Sequence, residues 1–333
     1  MSVVKRAAVA DSAPRSFSDG LLRWESILVL LLVVVIAANT AISPYFLDIY
    51  NLSDATYNFS EKAIVALAMA MLIIVREIDL SVAAIIAVAS LLTGLAAQAG
   101  LPLPVLFIVG PLVGIACGMF NGFLITRLAL PSIVVTIGTM SLFRGIAQVV
   151  LGDQAINKYP SGFTSIGQSY LINWPPLPYS FVIFLVAAVV AGIFLHKTAT
   201  GRKLYAIGNN PMAARFSGIP VDRIRFWLFT FTGLMAGVAA TLLTARIGST
   251  RPNVALGWEL EIITMVILGG VSISGGSGTI PGVVLAIFIL GLITFGLSLI
   301  NVPGIVISVI LGCLLIASIA FPIAIKRLLS RRA

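Results

Sequence analysis

The chain has little charge, few cysteines and a single histidine, and these shortages exclude several classes of protein. Only 10% of its 333 residues are charged, whereas a water-soluble domain carries roughly 25%. Because 59% of the residues are hydrophobic and the mean hydropathy is +1.10, the chain is not a soluble protein. Cys117 and Cys313 lie inside apolar runs and form no CxxC pattern, so we interpret them as small packing residues.

Motifs for nucleotide binding, metal binding and catalysis are also missing. No GxxxxGK[ST] pattern occurs, so the chain is not expected to hold ATP phosphates itself. His196 stands at the end of an apolar run, with no cluster of metal ligands and no nucleophile paired with a base. We therefore expect no enzyme: no catalytic residue, no metal and no cofactor bound by this chain.

Repeated apolar runs predict an all-α, polytopic membrane protein with about ten transmembrane helices. The predicted spans are 26–42, 63–75, 82–98, 105–126, 132–151, 180–195, 226–247, 260–270, 283–299 and 305–325. The connectors 43–62 and 152–179 are polar and rich in turn signals, so we expect them to lie outside the membrane. The second and eighth spans are unusually short.

Basic residues predict the orientation of these spans. If both termini are cytoplasmic, every lysine and arginine falls on the cytoplasmic side except Lys62, Arg144, Lys158, Arg246 and Arg251. This asymmetry predicts a cytoplasmic tail at 1–25, a transmembrane domain at 26–325 and a basic cytoplasmic tail at 326–333. Within the domain, the segment 197–225 is the longest polar loop on the cytoplasmic side.

That loop contains the signals of one short helix. Asn210 suits the N-cap, Pro211 suits the first helical position, and Gly218 suits a left-handed end. The predicted helix, 211–217, is far shorter than the roughly 12–15 residues that an isolated helix needs in water. Something must therefore hold it, either the membrane domain as a simple connector or a cytoplasmic partner that docks on it.

The two short spans share a pattern that is typical of a transport pathway. IVREIDLS at 74–81 aligns with ILGGVSIS at 267–274, and interrupted spans in corresponding places indicate such a pathway. The candidate pathway residues are Asp79, Ser81, Asn121, Ser272 and Ser274. An acid at membrane depth is by default a functional hypothesis.

Structural explanations of the same residues stay open. Arg76 can form a local ion pair with Asp79 in an interfacial turn, and Asn121 can serve packing alone. The glycine-rich segment 273–278 has no apparent basic partner, and it suits close packing or a re-entrant turn.

Four segments carry a resemblance to a known family. REIDLSVAAIIAVAS, NGFLITRLALPSIVVTIGTMSLFRGIA, GRKLYAIGNNPMAARFSGI and ILGGVSISGGSGTIPG resemble, in the same order, the ABC-importer permeases for monosaccharides. The branch is the one that handles ribose, rhamnose, xylose and autoinducer-2. SPYFLDIYNLSDATYNFSEKAIVALAMAMLI is most similar to rhamnose permeases.

The resemblance implies that the loop at 197–225 holds a helix that docks in a groove of a separate ATPase subunit. The implied docking residues are Asn210, Pro211, Ala214, Arg215, Phe216 and Gly218. It further implies that ATP and Mg²⁺ bind to that ATPase, that two permeases form a dimer of identical or paralogous chains, and that a periplasmic binding protein delivers the sugar. The implied location is the bacterial cytoplasmic (inner) membrane. Arg76 departs from the family pattern, in which a small residue is common at this position.

The expected function is import of a monosaccharide, with L-rhamnose as the first candidate, by ATPase-driven alternating access that tilts the sixth and seventh spans. Ribose, xylose and autoinducer-2 are alternatives within the family. A second hypothesis is a proton-coupled secondary transporter that uses Asp79 and Glu77, and its uptake would survive ATP depletion. A third is a membrane scaffold that recruits a partner without transport.

Overall fold

A computed structural model describes residues 24–330 of the protein. Residues 1–23 of the predicted tail 1–25, and residues 331–333 of the predicted tail 326–333, lie outside the described residues. The described chain folds into helices and one β-hairpin. The helices are α1 Trp24–Ile42, α2 Ile49–Ile74, α3 Val82–Gln98, α4 Leu103–Arg127, α5 Ser132–Leu151, α6 Ser161–Gln168, α7 Tyr179–Lys197, α8 Ala199–Asn209, α9 Pro211–Phe216, α10 Val221–Ile247, α11 Trp258–Leu268, α12 Ile280–Leu299 and α13 Gly304–Ser330. The hairpin pairs β1, Tyr170–Asn173, antiparallel with β2, Pro176–Pro178.

Seven of the described helices are long and apolar enough to cross a membrane: α1, α2, α4, α5, α7, α10 and α12. Shorter apolar helices are α3 and the first part of α13, Gly304–Ser318. With α11, these helices correspond to the ten predicted spans, and the predicted bounds of α3 and α5 match the structure. The protein is therefore a polytopic helical membrane protein.

The polar connector 43–62 was predicted wrongly, whereas 152–179 contains only the short helix α6 and the hairpin, and no long apolar helix. Most of 43–62 is the first half of α2, which begins at Ile49 because Asp48 Oδ1 accepts hydrogen bonds from the amides of Tyr50 and Asn51. Polar side chains in this half, such as Glu61, are buried against other helices. Tertiary contacts thus keep a polar segment helical.

The second half of α2 is the centre of the core. Every residue from 63 to 75 is buried, as expected for a helix that is apolar on all sides. By contrast α1, α5 and α7 expose large apolar side chains, among them Leu30, Val149 and Val186, which suit contact with lipid.

The closest helix pair is α4 with α10. Gly110, Gly114 and Gly118 on α4 face Gly233 and Gly237 on α10, and a Cβ at any of these positions would collide with the opposite backbone. Small residues spaced four apart let two membrane helices approach in this way. This interface fixes α10, and with it the cytoplasmic loop before it.

Candidate functional site

The short helix of the cytoplasmic loop forms as predicted, one residue shorter. Asn210 Oδ1 accepts hydrogen bonds from the amides of Met212 and Ala213, both at 3.0 Å, and Pro211 is the first helical residue. At the other end Gly218 has φ +80°, and the amides of Gly218 and Ile219 close a Schellman motif onto the last turn. Local capping therefore defines α9 at both ends.

One side of α9 is held and the other is open to solvent. Ala214 is buried, and Arg215 Nη2 lies 2.8 Å from Asp222 Oδ1 in the first turn of α10. Both partners of this ion pair are exposed, so it contributes at most about 1 kcal/mol. Met212 and Phe216, four residues apart on one face, are 63% and 87% exposed. The helix thus presents two large apolar side chains to solvent.

The helix α8, which precedes α9, was not predicted. Thr198 Oγ1 caps it by accepting a hydrogen bond from the amide of Gly201, and Asn210 is at once the C-cap of α8 and the N-cap of α9. The hydroxyl of Tyr205 donates to the carbonyl of Gly278 at 2.8 Å. Burial raises the pKa of Tyr205 above its ordinary value, so this hydroxyl stays protonated and remains a donor.

The end of α8 meets both interrupted spans at one point. A Cβ on Gly208 would collide with the carbonyl oxygen of Ile74, at the end of α2, and with the amide of Gly276, in the loop after α11. That amide donates to the Ile74 carbonyl at 2.9 Å. We call the contact among Ile74, Gly208 and Gly276 the three-backbone junction.

Arg76 reinforces this junction. Its Nε donates to the carbonyl of Gly208 at 2.6 Å and its Nη2 donates to the carbonyl of Asn209 at 2.8 Å. Arg76 also has φ +67°, a left-handed conformation that costs a non-glycine residue roughly 1–2 kcal/mol. The predicted ion pair with Asp79 is therefore wrong, because the guanidinium points to α8. The view that the glycine-rich loop has no basic partner is also wrong, since the Arg76 stem lies against Gly275.

The two interrupted spans end in the same way. The amides of Arg76 and Glu77 bond back to α2 as a Schellman motif, and those of Gly270 and Val271 bond back to α11 with the same spacing. The repeat that the sequence indicated is present, with the alignment shifted by one residue. Ile74 corresponds to Leu268, the last helical residue of α11, and not to Ile267.

Three of the five predicted pathway residues come together after α2. Asp79 is fully buried, and its Oδ1 accepts hydrogen bonds from the amide of Ser81 at 2.8 Å and the hydroxyl of Ser81 at 2.6 Å. Asn121, from α4, donates to the same hydroxyl at 2.8 Å. Asp79 Oδ2 and Asn121 Oδ1 are buried without a hydrogen-bond partner among the described residues. Two acceptor oxygens are thus left free beside the start of α3.

The other predicted residues have different surroundings. Glu77 Oε1 lies 3.0 Å from Arg225 Nε, so this acid forms an ion pair with Arg225 near the start of α10. Ser272 and Ser274 lie in the loop beside α8, where Ser274 is exposed, and they do not join the Asp79 cluster. Within residues 24–330, no group of three or more His, Cys, Asp or Glu could hold a metal ion.

Charged residues separate to the two ends of α2 and α10. Glu77 and Arg225 meet at the end where α8 and α9 lie, and Glu61 Oε1 lies 2.7 Å from Arg246 Nε toward the other end. Lys62 also belongs to this second group, where it contacts Glu261 at 2.5 Å. The sequence assigned these groups to the cytoplasmic and outer sides, and the structure keeps them apart in the same way. Below, the end that carries α8 and α9 is called the cytoplasmic face.

Comparisons with known proteins agree with this architecture. Residues 51–319 match the family described as "Branched-chain amino acid transport system / permease component". Similar curated proteins include the "Autoinducer 2 import system permease protein LsrD" of Escherichia coli K12, of Escherichia coli O157:H7 and of Shigella flexneri. Each is 36% identical over 299 residues, which span 88% of this chain and 90% of the relative. No solved structure matches the chain.

The match covers most of the chain, and the ten helices of residues 24–330 that correspond to predicted spans fit the membrane-spanning subunit of a transporter. Such a subunit is a transporter component of the bacterial inner membrane and not an enzyme, and its family implies partners that hydrolyse ATP and bind the cargo. This chain therefore belongs to the permease components of ABC importers, in the branch of the ribose and autoinducer-2 permeases.

Proposed function

We propose that α9 is the docking helix through which a separate cytoplasmic ATPase drives this permease. The observation that carries the proposal is the exposure of Phe216 and Met212 on a helix capped at both ends. Large apolar side chains exposed together in water favour a protein partner. In this assignment Asn210, Pro211 and Gly218 fix the helix, Ala214 seats it, and Arg215 orients it through Asp222. ATP and Mg²⁺ bind to the ATPase.

Movement of α9 reaches the interrupted spans through α8. Because Asn210 caps both helices, α8 and α9 share a rigid corner, and α8 ends on the three-backbone junction. Because closely packed backbones are nearly incompressible, a displacement of α8 should be passed on to the segments that it contacts. Coupling therefore acts on the ends of α2 and α11 as well as on α7 and α10, the sixth and seventh spans, whose tilt was expected from the sequence.

The Asp79 cluster suits a pathway for an uncharged, hydroxylated solute. A hydroxyl of the cargo would donate to the free oxygens of Asp79 and Asn121 once the surrounding helices move apart. Leaving such oxygens unpaired costs about 1–3 kcal/mol each, which favours a state in which they are bonded. In this proposal Ser81 positions Asp79, and Ser272 and Ser274, in the loop beside α8, do not contact the cargo.

The proposed cargo is L-rhamnose, supported by the resemblance of residues 43–73 to rhamnose permeases. Autoinducer 2 is the second candidate, supported by the name of the relatives from Escherichia coli and Shigella flexneri. Two permease chains form the dimer, and a periplasmic binding protein brings the cargo to its outer face.

Reconstitution with the candidate ATPase and binding protein tests the proposal. We expect L-rhamnose to stimulate ATP hydrolysis and uptake in proteoliposomes, and Phe216→Ala to reduce both at least tenfold by weakening ATPase binding. Trp174→Ala is the matched control, because Trp174 is an exposed aromatic residue in the hairpin turn outside the cytoplasmic loop, and this variant should still bind the ATPase.

The outcomes separate cargo from mechanism. Stimulation by autoinducer 2, ribose or xylose alone would replace rhamnose and leave the docking role intact. Uptake that survives ATP depletion, and that an uncoupler or Asp79→Asn abolishes, would contradict the proposal in favour of a proton-coupled transporter.

A further inference from the structure

A cleft of about 880 Å³ opens between α7 and α10 on the surface of the helix bundle. The floor of the cleft is α2. Helix α7 packs against α2 but not closely against α10, which leaves the cleft open between α7 and α10. The side chains along its length are apolar and include Ile64, Leu67, Met71, Val186, Val190 and Phe231. This volume lies in the range of about 300–1,000 Å³ that is typical of small-molecule sites. The cleft therefore has the size and lining of a site for a hydrocarbon chain.

The cytoplasmic end of the cleft is basic. Lys203 on α8 and Arg223 on α10 line this end, and both side chains are exposed. Neither forms an ion pair with any described acid, since the neighbouring carboxylates of Asp222 and Glu77 are held by other arginines. Trp227, one turn beyond Arg223, is 56% exposed at the same end. Tryptophan at this depth is typical of the membrane interface.

We propose that this cleft binds one anionic phospholipid of the inner leaflet. Its acyl chains lie between α7 and α10, and its phosphate lies between Lys203 and Arg223. Basic pockets between membrane helices on the cytoplasmic side are suited to such head groups. Lipid tails are as apolar as the cleft, so burial alone gives no selectivity. The two cations provide the preference for an anionic head group.

Charge complementarity excludes the other occupants of a membrane groove. An apolar helix seated in the cleft would cover Lys203 and Arg223 without neutralising them, and buried unpaired charges are costly. A second copy of this chain, related by a two-fold axis through the cleft, would bring the same cations against each other. A phosphodiester neutralises both without either penalty.

The two cations of the site lie on the helices that flank α9. Lys203 lies on α8, between the Thr198 cap and the three-backbone junction, and Arg223 lies in the first turn of α10. A bound phosphate would therefore join the two ends of the loop that carries α9. Occupancy is expected to stabilise this loop.

Lipid retention on the purified full chain tests the site. Native mass spectrometry would count the lipids retained from vesicles of phosphatidylglycerol or of phosphatidylcholine with the same acyl chains. We expect a roughly 30-fold preference for phosphatidylglycerol, because Lys203 and Arg223 should each favour the anionic head group about five- to sixfold. High salt should lower this preference. The double variant Lys203→Gln, Arg223→Gln should lose the preference, and Arg202→Gln, an exposed base of α8 that does not line the cleft, should keep it.

A second variant covers the case in which the double variant does not fold. Val190→Trp fills the cleft and keeps both cations, so it should displace the retained phosphatidylglycerol. Equal retention of both lipids by the unchanged chain, or an unchanged preference in the double variant, would overturn the proposal. So would a dimer that Val190→Trp disrupts while the number of bound lipids stays the same, because a second copy would then occupy the cleft.

Discussion

The two interrupted spans stop their helices with the same backbone motif and then use opposite side-chain chemistry. After α2 the left-handed position is Arg76, and after α11 it is Gly270. The first break continues into the buried Asp79 cluster. The second continues into the glycine-rich loop 273–278, which contacts α8 mainly through backbone atoms. One motif therefore serves a polar site in one half and a packing surface in the other.

The corrected alignment sharpens this difference. If Ile74 corresponds to Leu268, Asp79 corresponds to Ile273 and Ser81 to Gly275. The second break has no counterpart of the acid or of its hydroxyl partner. This difference is what we expect if the first break contacts the cargo, as proposed above. The second break instead lets α8 pack against the ends of both α2 and α11.

The largest expected effect is at Asp79. Asp79→Leu removes the acceptor of the Ser81 amide and hydroxyl, and each buried donor left unpaired costs about 1–3 kcal/mol. Uptake in reconstituted vesicles should fall at least ~tenfold. Asp79→Asn keeps one acceptor oxygen and should keep the fold. Ser274→Leu, an exposed position of the second break, is the control and should leave uptake unchanged; an equal loss there would remove the distinction between the two breaks.

A smaller effect is expected from Gly270→Ala, which gives the second break a side chain at its left-handed position, as Arg76 does in the first break. Gly270→Ala places a side chain at φ +88°, which costs roughly 1–2 kcal/mol, and its Cβ would press on the Trp24 ring. The Trp24 Nε1 hydrogen bond to the Leu268 carbonyl, 2.9 Å, would be disturbed. Thermal unfolding in detergent should occur at a lower temperature than for Gly192→Ala, whose Cβ meets no atom closer than 3.9 Å.

The smallest effect is expected from the reverse change, Arg76→Gly. It relieves the left-handed strain, roughly 1–2 kcal/mol, and removes two hydrogen bonds to α8. Because the Arg76 side chain is exposed, each of these bonds is worth only about 0.5–1.5 kcal/mol. Stability should therefore change by less than about 1 kcal/mol, while cargo transported per ATP hydrolysed falls a few-fold. Arg76→Ala keeps the strain and loses the bonds, so it should be the less stable variant. The opposite order would show that Arg76 does not hold α8.

Local signals were sufficient for part of this structure. The caps of α9 follow from Asn210, Pro211 and Gly218 because each acts within one or two turns of its own position. Long apolar runs gave the membrane helices for the same reason. The α4–α10 interface was missed, although the spacing of Gly110, Gly114 and Gly118 was a readable signal for close helix packing.

Contacts between distant residues explain the failures. The ion pair between the buried Glu61 and the partly exposed Arg246 joins positions 185 residues apart. The sequence pattern cannot show this contact, so the polar start of α2 looked like a loop. Gly208 has no local mark that distinguishes it from the glycine of an ordinary turn, and its role depends on Ile74 and Gly276 meeting there. Ser272 and Ser274 were matched to the pathway by an alignment that only the hydrogen bonds of the two helix ends correct.

Gly208→Ala tests most directly whether coupling passes through the three-backbone junction. Its Cβ would push against two backbones, which yield far less easily than side chains. The measurement is cargo transported per ATP hydrolysed, with the ATPase and binding protein present. We predict that Gly208→Ala still binds the ATPase and hydrolyses ATP but transports at least ~tenfold less cargo per ATP than Gly192→Ala. An unchanged ratio in a folded Gly208→Ala variant would show that coupling does not pass through this junction.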